Sequence, residues 1–158
     1  MRKGAVKPRL VSKDPVYPHE MVTKLINRAM RDGKRSVIQK QVYRAFELIR
    51  EQLQEEPLKI FLQAVENIKP NMEVRPRRIG GAAYQVPMAV RGPRKESLAI
   101  RWMVNAANSL PNAQYKTFAH KLSTEIMNAY KGEGASMAKR QEIERVAEAN
   151  KAFAHFKW

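Results

Sequence analysis

The chain has 158 residues, 30 Lys and Arg against 15 Asp and Glu, a formal net charge of +15 at neutral pH, and no cysteine. That length suits one domain with a buried core, and 44% hydrophobic residues argue against wholesale disorder. The lack of thiols excludes disulfides, Cys-based zinc sites and cysteine nucleophiles, while the unbalanced charge asks for a polyanion, nucleic acid or an anionic membrane.

Residues 1–17 read as a basic N-terminal arm. Arg2, Lys3, Lys7, Arg9 and Lys13 stand there without an acid before Asp14, Pro8 and Pro15 interrupt the chain, and no hydrophobic period is present. The start lacks the apolar stretch of a secretory signal, and Gly4 and Pro8 would break the helix of a transit peptide. No apolar run approaches the ~18 residues of a spanning helix, so no membrane partner is expected. A cytosolic protein, or its organellar counterpart, working against nucleic acid is the expectation.

The next elements are helical. Val22, Leu25, Ile26 and Ala29 share one face of a first helix that follows Pro18 and stops at Gly33. Ser36 is placed to cap a second helix, whose apolar positions are Ile38, Val42, Ala45, Phe46, Ile49 and Leu53. Pro57 fits the first position of a third, with Phe61, Ala64, Val65 and Ile68 turned inward. Charge is segregated along this stretch. Residues 24–44 hold Lys24, Arg28, Arg31, Lys34, Arg35, Lys40 and Arg44 against Asp32 alone, whereas 45–68 is acidic, with Glu47, Glu51, Glu55, Glu56 and Glu66. Same-sign blocks of this kind describe a patterned surface better than a solvated one.

Between Glu73 and Arg91 the period changes from helical to alternating, over Tyr84, Val86, Met88 and Val90. Gly80-Gly81 is a two-residue hairpin signal, because such turns need positive φ. With those two residues as the loop, Ile79 pairs with Ala82, Arg77 with Tyr84 and Arg75 with Val86. One face then carries Glu73, Arg75, Arg77, Tyr84, Val86 and Met88; the other carries Val74, Pro76, Arg78, Gln85 and Pro87. Pro76 and Pro87 cannot donate ladder hydrogen bonds, so the ribbon stands outside any wider sheet, and a lone hairpin needs a partner. Guanidinium forks suit phosphate, and an Arg–Tyr face can stack on exposed bases, so that partner is expected to be RNA.

A fourth helix carries Leu98, Trp102, Met103 and Ala106; a fifth, after the break at Pro111, carries Tyr115, Phe118, Leu122, Ile126 and Ala129. Beyond the loop at Gly132–Gly134 a sixth carries Ile143, Val146, Ala147 and Phe153. The fold expected is mainly α: about six helices in a bundle, a protruding hairpin at 73–91 and the basic arm.

No enzyme chemistry stands out. His19, His120 and His155 have neither metal-ligand spacing nor an assignable nucleophile, and the glycines at 132–134 lack the strand and third glycine of a phosphate loop. No cofactor and no small-molecule substrate are expected. The competing reading is an architectural DNA-binding protein with basic β-arms, although such arms usually carry an apolar wedge at the tip, where this chain has Gly-Gly.

The stretches DPVYPHEMVTKLINRAMRDGKRSVIQKQVYRAFELI, EVRPRRIGGAAYQVPMAVR, LAIRWMVNAA and AEANKAFAHFKW resemble the bacterial-type small-subunit ribosomal protein seven family, collinearly from Asp14 to Trp158. Ile38 and Glu144 depart from it, standing where a small Ala and a His are usual. The resemblance implies a helical protein with a protruding hairpin, bound to the 3′ major domain of small-subunit ribosomal RNA and starting assembly of the subunit head. It further implies a site near the exit-site transfer RNA and the messenger RNA exit path, with small-subunit proteins nine and eleven as neighbours. RNA contacts carried over on matching positions fall on three parts of the chain. They are the arm (Arg2, Lys3, Lys7, Arg9), the turn at Lys34 and Arg35, and the hairpin with its exit (Arg75, Arg77, Arg78, Tyr84, Arg91, Arg94, Lys95).

Overall fold

The computed structural model describes Gly4 and residues 11–156. Arg2, Lys3, Lys7 and Arg9 lie outside the described residues. The elements are α1 (Glu20–Ala29), α2 (Arg35–Leu53), α3 (Pro57–Ile68), β1 (Met72–Ile79), β2 (Ala82–Ala89), α4 (Gly92–Ser109), α5 (Phe118–Tyr130) and α6 (Ala135–Ala149), followed by a 3-10 turn at Lys151–Phe156. The mainly helical fold with one inserted hairpin is the one expected.

Helix α5 is the central element and packs against α2, α3 and α4. Its Leu122 and Ile126 meet a core that includes Phe46 and Ile49 of α2, Ile60 and Phe61 of α3, and Met103 of α4, all inaccessible to solvent. Each such side chain contributes about 1.5–3 kcal/mol of transfer free energy. The 3.6-residue period of those positions therefore fixes which face of each helix turns inward.

Boundaries differ from the expectations where capping chemistry is unusual. Helix α1 ends at Ala29, with extended Met30 as its cap, so Gly33 (φ 71) serves the following turn together with left-handed Asp32 (φ 51). Ser36 is not a cap: α2 begins one residue earlier, behind Lys34, and Ser36 lies within its first turn. Pro57 does open α3. Tyr115 precedes α5, whose N-cap is Thr117, because the Thr117 hydroxyl accepts from the His120 amide at 3.4 Å. Phe153 belongs to the 3-10 turn and not to α6, and Val146 is 41% exposed, so neither is part of the bundle core.

The chain is packed from Asp14 onward. The Asp14 carboxylate accepts from the amides of Val16 and Tyr17 at 3.0 Å, and the Tyr43 hydroxyl of α2 donates to it at 2.8 Å. The Tyr17 ring then sits edge-on to Phe46, with 4.8 Å between centroids. A second buried polar link joins α5 to α6. Glu125 is 2% exposed, and one of its oxygens accepts from the Ser136 amide (2.9 Å) and hydroxyl (2.5 Å). Gly134 makes that approach feasible. It adopts φ +96, and a Cβ there would lie 3.0 Å from the Glu125 carboxylate oxygen.

The hairpin has the register read from the sequence: Ile79 opposite Ala82, Arg77 opposite Tyr84, Arg75 opposite Val86. Gly80 (φ 57) and Gly81 (φ 90) form the turn at its exposed tip. The ribbon is a two-stranded sheet, which leaves Pro76 and Pro87 without further ladder partners to deprive. Its support comes from within the chain: β1 packs on α6, and β2 on the 3-10 turn.

Candidate nucleic-acid interface

Basic residues of α1 lie along a seam with the start of α4. One groove there is lined by Lys24 and Arg28 of α1 with Pro93, Ser97 and Ile100 of α4. Next to it, Lys13 comes in from the N-terminal side beside His19, Lys24 and Glu96. Lys24 pairs with Glu96 at 2.7 Å. Farther along, the groove lined by Arg31, Lys34, Val37 and Phe118 continues the cationic surface to the α1–α2 turn. Lys34 and Arg35 are both exposed there, and Arg35 donates to Asn27 at 3.1 Å. The groove thus sets basic residues of α1 against the first turns of α4, whose own lining residues there are Pro93, Glu96, Ser97 and Ile100. The acidic residues Glu51, Glu55 and Glu56 gather elsewhere and are exposed at the α2–α3 junction.

The hairpin arginines divide into three environments. Arg78 is exposed on the face it shares with Pro76 and Gln85. Arg77 is half-buried, on the face of Tyr84. Arg75 is held by Glu73, and so is Arg94 from the first turn of α4. Glu73 is 7% exposed, and its oxygens lie 2.7 Å from a nitrogen of each guanidinium. Burial pushes the pKa of that carboxyl up, but hydrogen bonds from Arg94 and Arg75 outweigh it and hold the pKa below the ordinary carboxylate value. Arg91 is exposed, and Lys95 donates to the Asn71 side chain at 2.8 Å.

Tyr84 is placed differently from the expectation that it offers a stacking face to RNA. Its ring lies 5.3 Å, centroid to centroid, from both Phe153 and Phe156. The chain's own C-terminal turn therefore packs against the Tyr84 ring, which anchors the hairpin. The alternation of β2 set Tyr84 on one face with Val86 and Met88, but a six-residue 3-10 turn leaves no periodic signal to identify what packs against it.

Sequence reading also missed the base of the hairpin. Glu144 of α6, which reads as a solvated position, accepts from the Asn71 amide at 3.0 Å and pairs with Arg140 at 3.2 Å. Arg140 in turn donates to the Asn67 carbonyl. Glu144 thereby ties α6 to the stretch between α3 and β1. Ile38, the other departure from the family pattern, is partly buried against the core.

Among the described residues no group of three His, Asp or Glu gathers to hold a metal, and no helix is long and apolar enough to cross a membrane. What the surface offers is a set of cations carried on helices with a hairpin beside it. Such an array suits phosphates in a defined shape more than the edges of bases.

The family described as Ribosomal protein S7p/S5e matches residues 1–151. A Fervidobacterium nodosum protein named "Small ribosomal subunit protein uS7" is 49% identical over 158 residues, covering 100% of both chains. Proteins of that name from Thermotoga neapolitana and Thermodesulfovibrio yellowstonii are 50% identical over 158 residues and 51% over 157, covering 100% and 99% of both chains.

Proposed function

The chain belongs to the ribosomal protein S7p/S5e family, and from that premise we propose that it is a non-enzymatic structural constituent of the small ribosomal subunit that binds ribosomal RNA. The observation that carries this reading is the seam of α1 and α4. It sets Lys24 and Arg28 of α1 against the first turns of α4, while Arg31 and Lys34 line a second groove toward the α1–α2 turn. Cations so placed neutralise successive phosphates of a folded RNA, and each neutralised phosphate adds to the salt dependence of binding.

The finer placement rests on the family resemblance of the hairpin and terminal motifs. On that ground the RNA is the 3′ major domain, and the protein binds early enough to start assembly of the subunit head. Exit-site transfer RNA, the messenger RNA exit path, and small-subunit proteins nine and eleven are its neighbours. The contacts proposed are the arm (Arg2, Lys3, Lys7, Arg9), Lys34, Arg35, Arg75, Arg77, Arg78, Arg91, Arg94 and Lys95. Tyr84 acts by holding the hairpin in place.

Reconstitution of small subunits from purified components tests this reading. With this protein left out, later head proteins should fail to join the 3′ major domain while the other domains assemble. A complete head formed in its absence would refute the assembly role.

A further inference from the structure

A buried acid at the centre of a phosphate-binding surface calls for explanation. Charge alone makes Glu73 unfavourable there, since it repels the ligand and loses solvation on burial. Its geometry gives it a use. Arg94 approaches through Nε, which lies 2.8 and 2.7 Å from the two carboxylate oxygens, and Arg75 through Nε and Nη2 at 2.8 and 2.7 Å. Both arginine side chains stay about half exposed, at 48% and 49%. They come from elements far apart in sequence, β1 and α4, and converge on one carboxylate.

We propose that Glu73 is a positioning residue for RNA binding: its carboxylate sets the guanidiniums of Arg75 and Arg94 side by side as a clamp for a single RNA phosphate. Without it, two like charges would swing apart. Each arginine would then give up its rotamer freedom only on meeting RNA, at a cost in affinity. With Glu73 in place that ordering is complete in the free protein. The nitrogens of each fork not taken by Glu73 are left for phosphate oxygens, which accept paired bonds from guanidinium. The proposal rests on the reading that this surface binds ribosomal RNA.

The test uses the full-length protein, a transcript of the 3′ major domain, and a salt series. Charge alone predicts that Glu73→Gln, which makes the protein one unit more positive, binds RNA more tightly and with a steeper salt dependence. Positioning predicts the reverse: affinity falls on the order of tenfold, and the salt slope does not steepen. Arg94→Lys keeps the charge but loses the fork. It should weaken binding to a similar extent, and adding Glu73→Gln to it should change little further. Unchanged or tighter binding by Glu73→Gln would overturn the proposal. So would full affinity in Arg94→Lys, a surface variant that keeps the comparison valid if the Glu73 variant is poorly folded. Failure of the wild-type protein to bind the transcript would instead sink the RNA reading beneath it.

Discussion

The Tyr84 ring of β2 meets the Phe153 ring of the C-terminal 3-10 turn at 5.3 Å between centroids and an interplanar angle of 56°. Phe156 stands at the same distance from Tyr84 on a ring nearly parallel to that of Phe153, the two planes being 14° apart. A hairpin of two strands is marginal by itself, and this aromatic contact joins the packing of β1 on α6 in attaching it to the body of the protein.

Tyr84→Ala should therefore loosen two segments together. Amide hydrogen exchange of β2 and of Lys151–Phe156 should rise in step, with a loss of global stability of only about 1 kcal/mol. Faster exchange in the hairpin with no change in the C-terminal turn would show that the rings do not couple them.

Glu73 makes the link between hairpin and α4 sensitive to acid. Its carboxyl has a lower pKa folded than unfolded, because the bonds from Arg94 and Arg75 exceed the opposing effect of burial. The stabilisation is then complete above the unfolded value, ~4.3, and disappears as pH falls through the folded value. The melting temperature of the wild type should exceed that of Glu73→Gln at neutral pH, and the difference should close as pH falls below the ordinary carboxylate range. A difference independent of pH would deny the ion pairs their role.

Two glycines separate backbone strain from steric conflict. Gly80 and Gly134 both have positive φ, but a Cβ at Gly80 meets nothing within 4 Å, whereas at Gly134 it lies 3.0 Å from Glu125 and 3.1 Å from Asn128. Gly80→Ala should cost about 1 kcal/mol and Gly134→Ala roughly 2–3 kcal/mol, measured by denaturant unfolding. Equal costs would mean that the α5–α6 junction yields easily.

Local chemistry made much of this legible in the sequence. Gly80-Gly81 pins the hairpin register because a two-residue turn with positive φ leaves one pairing, and Arg77 does stand opposite Tyr84. Phe46, Phe61, Leu122 and Ile126 advertise the core by their spacing. What stayed hidden depends on contacts across long sequence separation. Nothing near Glu73 says that it is buried under Arg94, and nothing near Glu144 says that it bonds Asn71. Phe153 continues the period of α6 by chance, although the chain leaves the α-helix at Asn150 and turns toward Tyr84. The same limit explains the interface. Charge blocks were visible, but the alignment of α1 with α4 is a tertiary fact.

Arg78 offers a clean measure of phosphate contact, since it is exposed and lies on the hairpin face away from Tyr84. Arg78→Ala should leave stability within about 0.5 kcal/mol of wild type. It should also reduce the slope of log affinity against log salt by ~1. An unchanged slope would remove Arg78 from the interface.

The central claim is that the α1–α4 seam and the hairpin recognise folded ribosomal RNA and not polyanions in general. Filter binding at ~150 mM salt, where screening suppresses contacts beyond about 8 Å, compares the 3′ major domain transcript with duplex DNA of equal length. The account predicts that the protein binds the transcript at least a hundredfold more tightly, a margin of roughly 2.7 kcal/mol. Equal affinity for the two would contradict it and favour a DNA-bending arm.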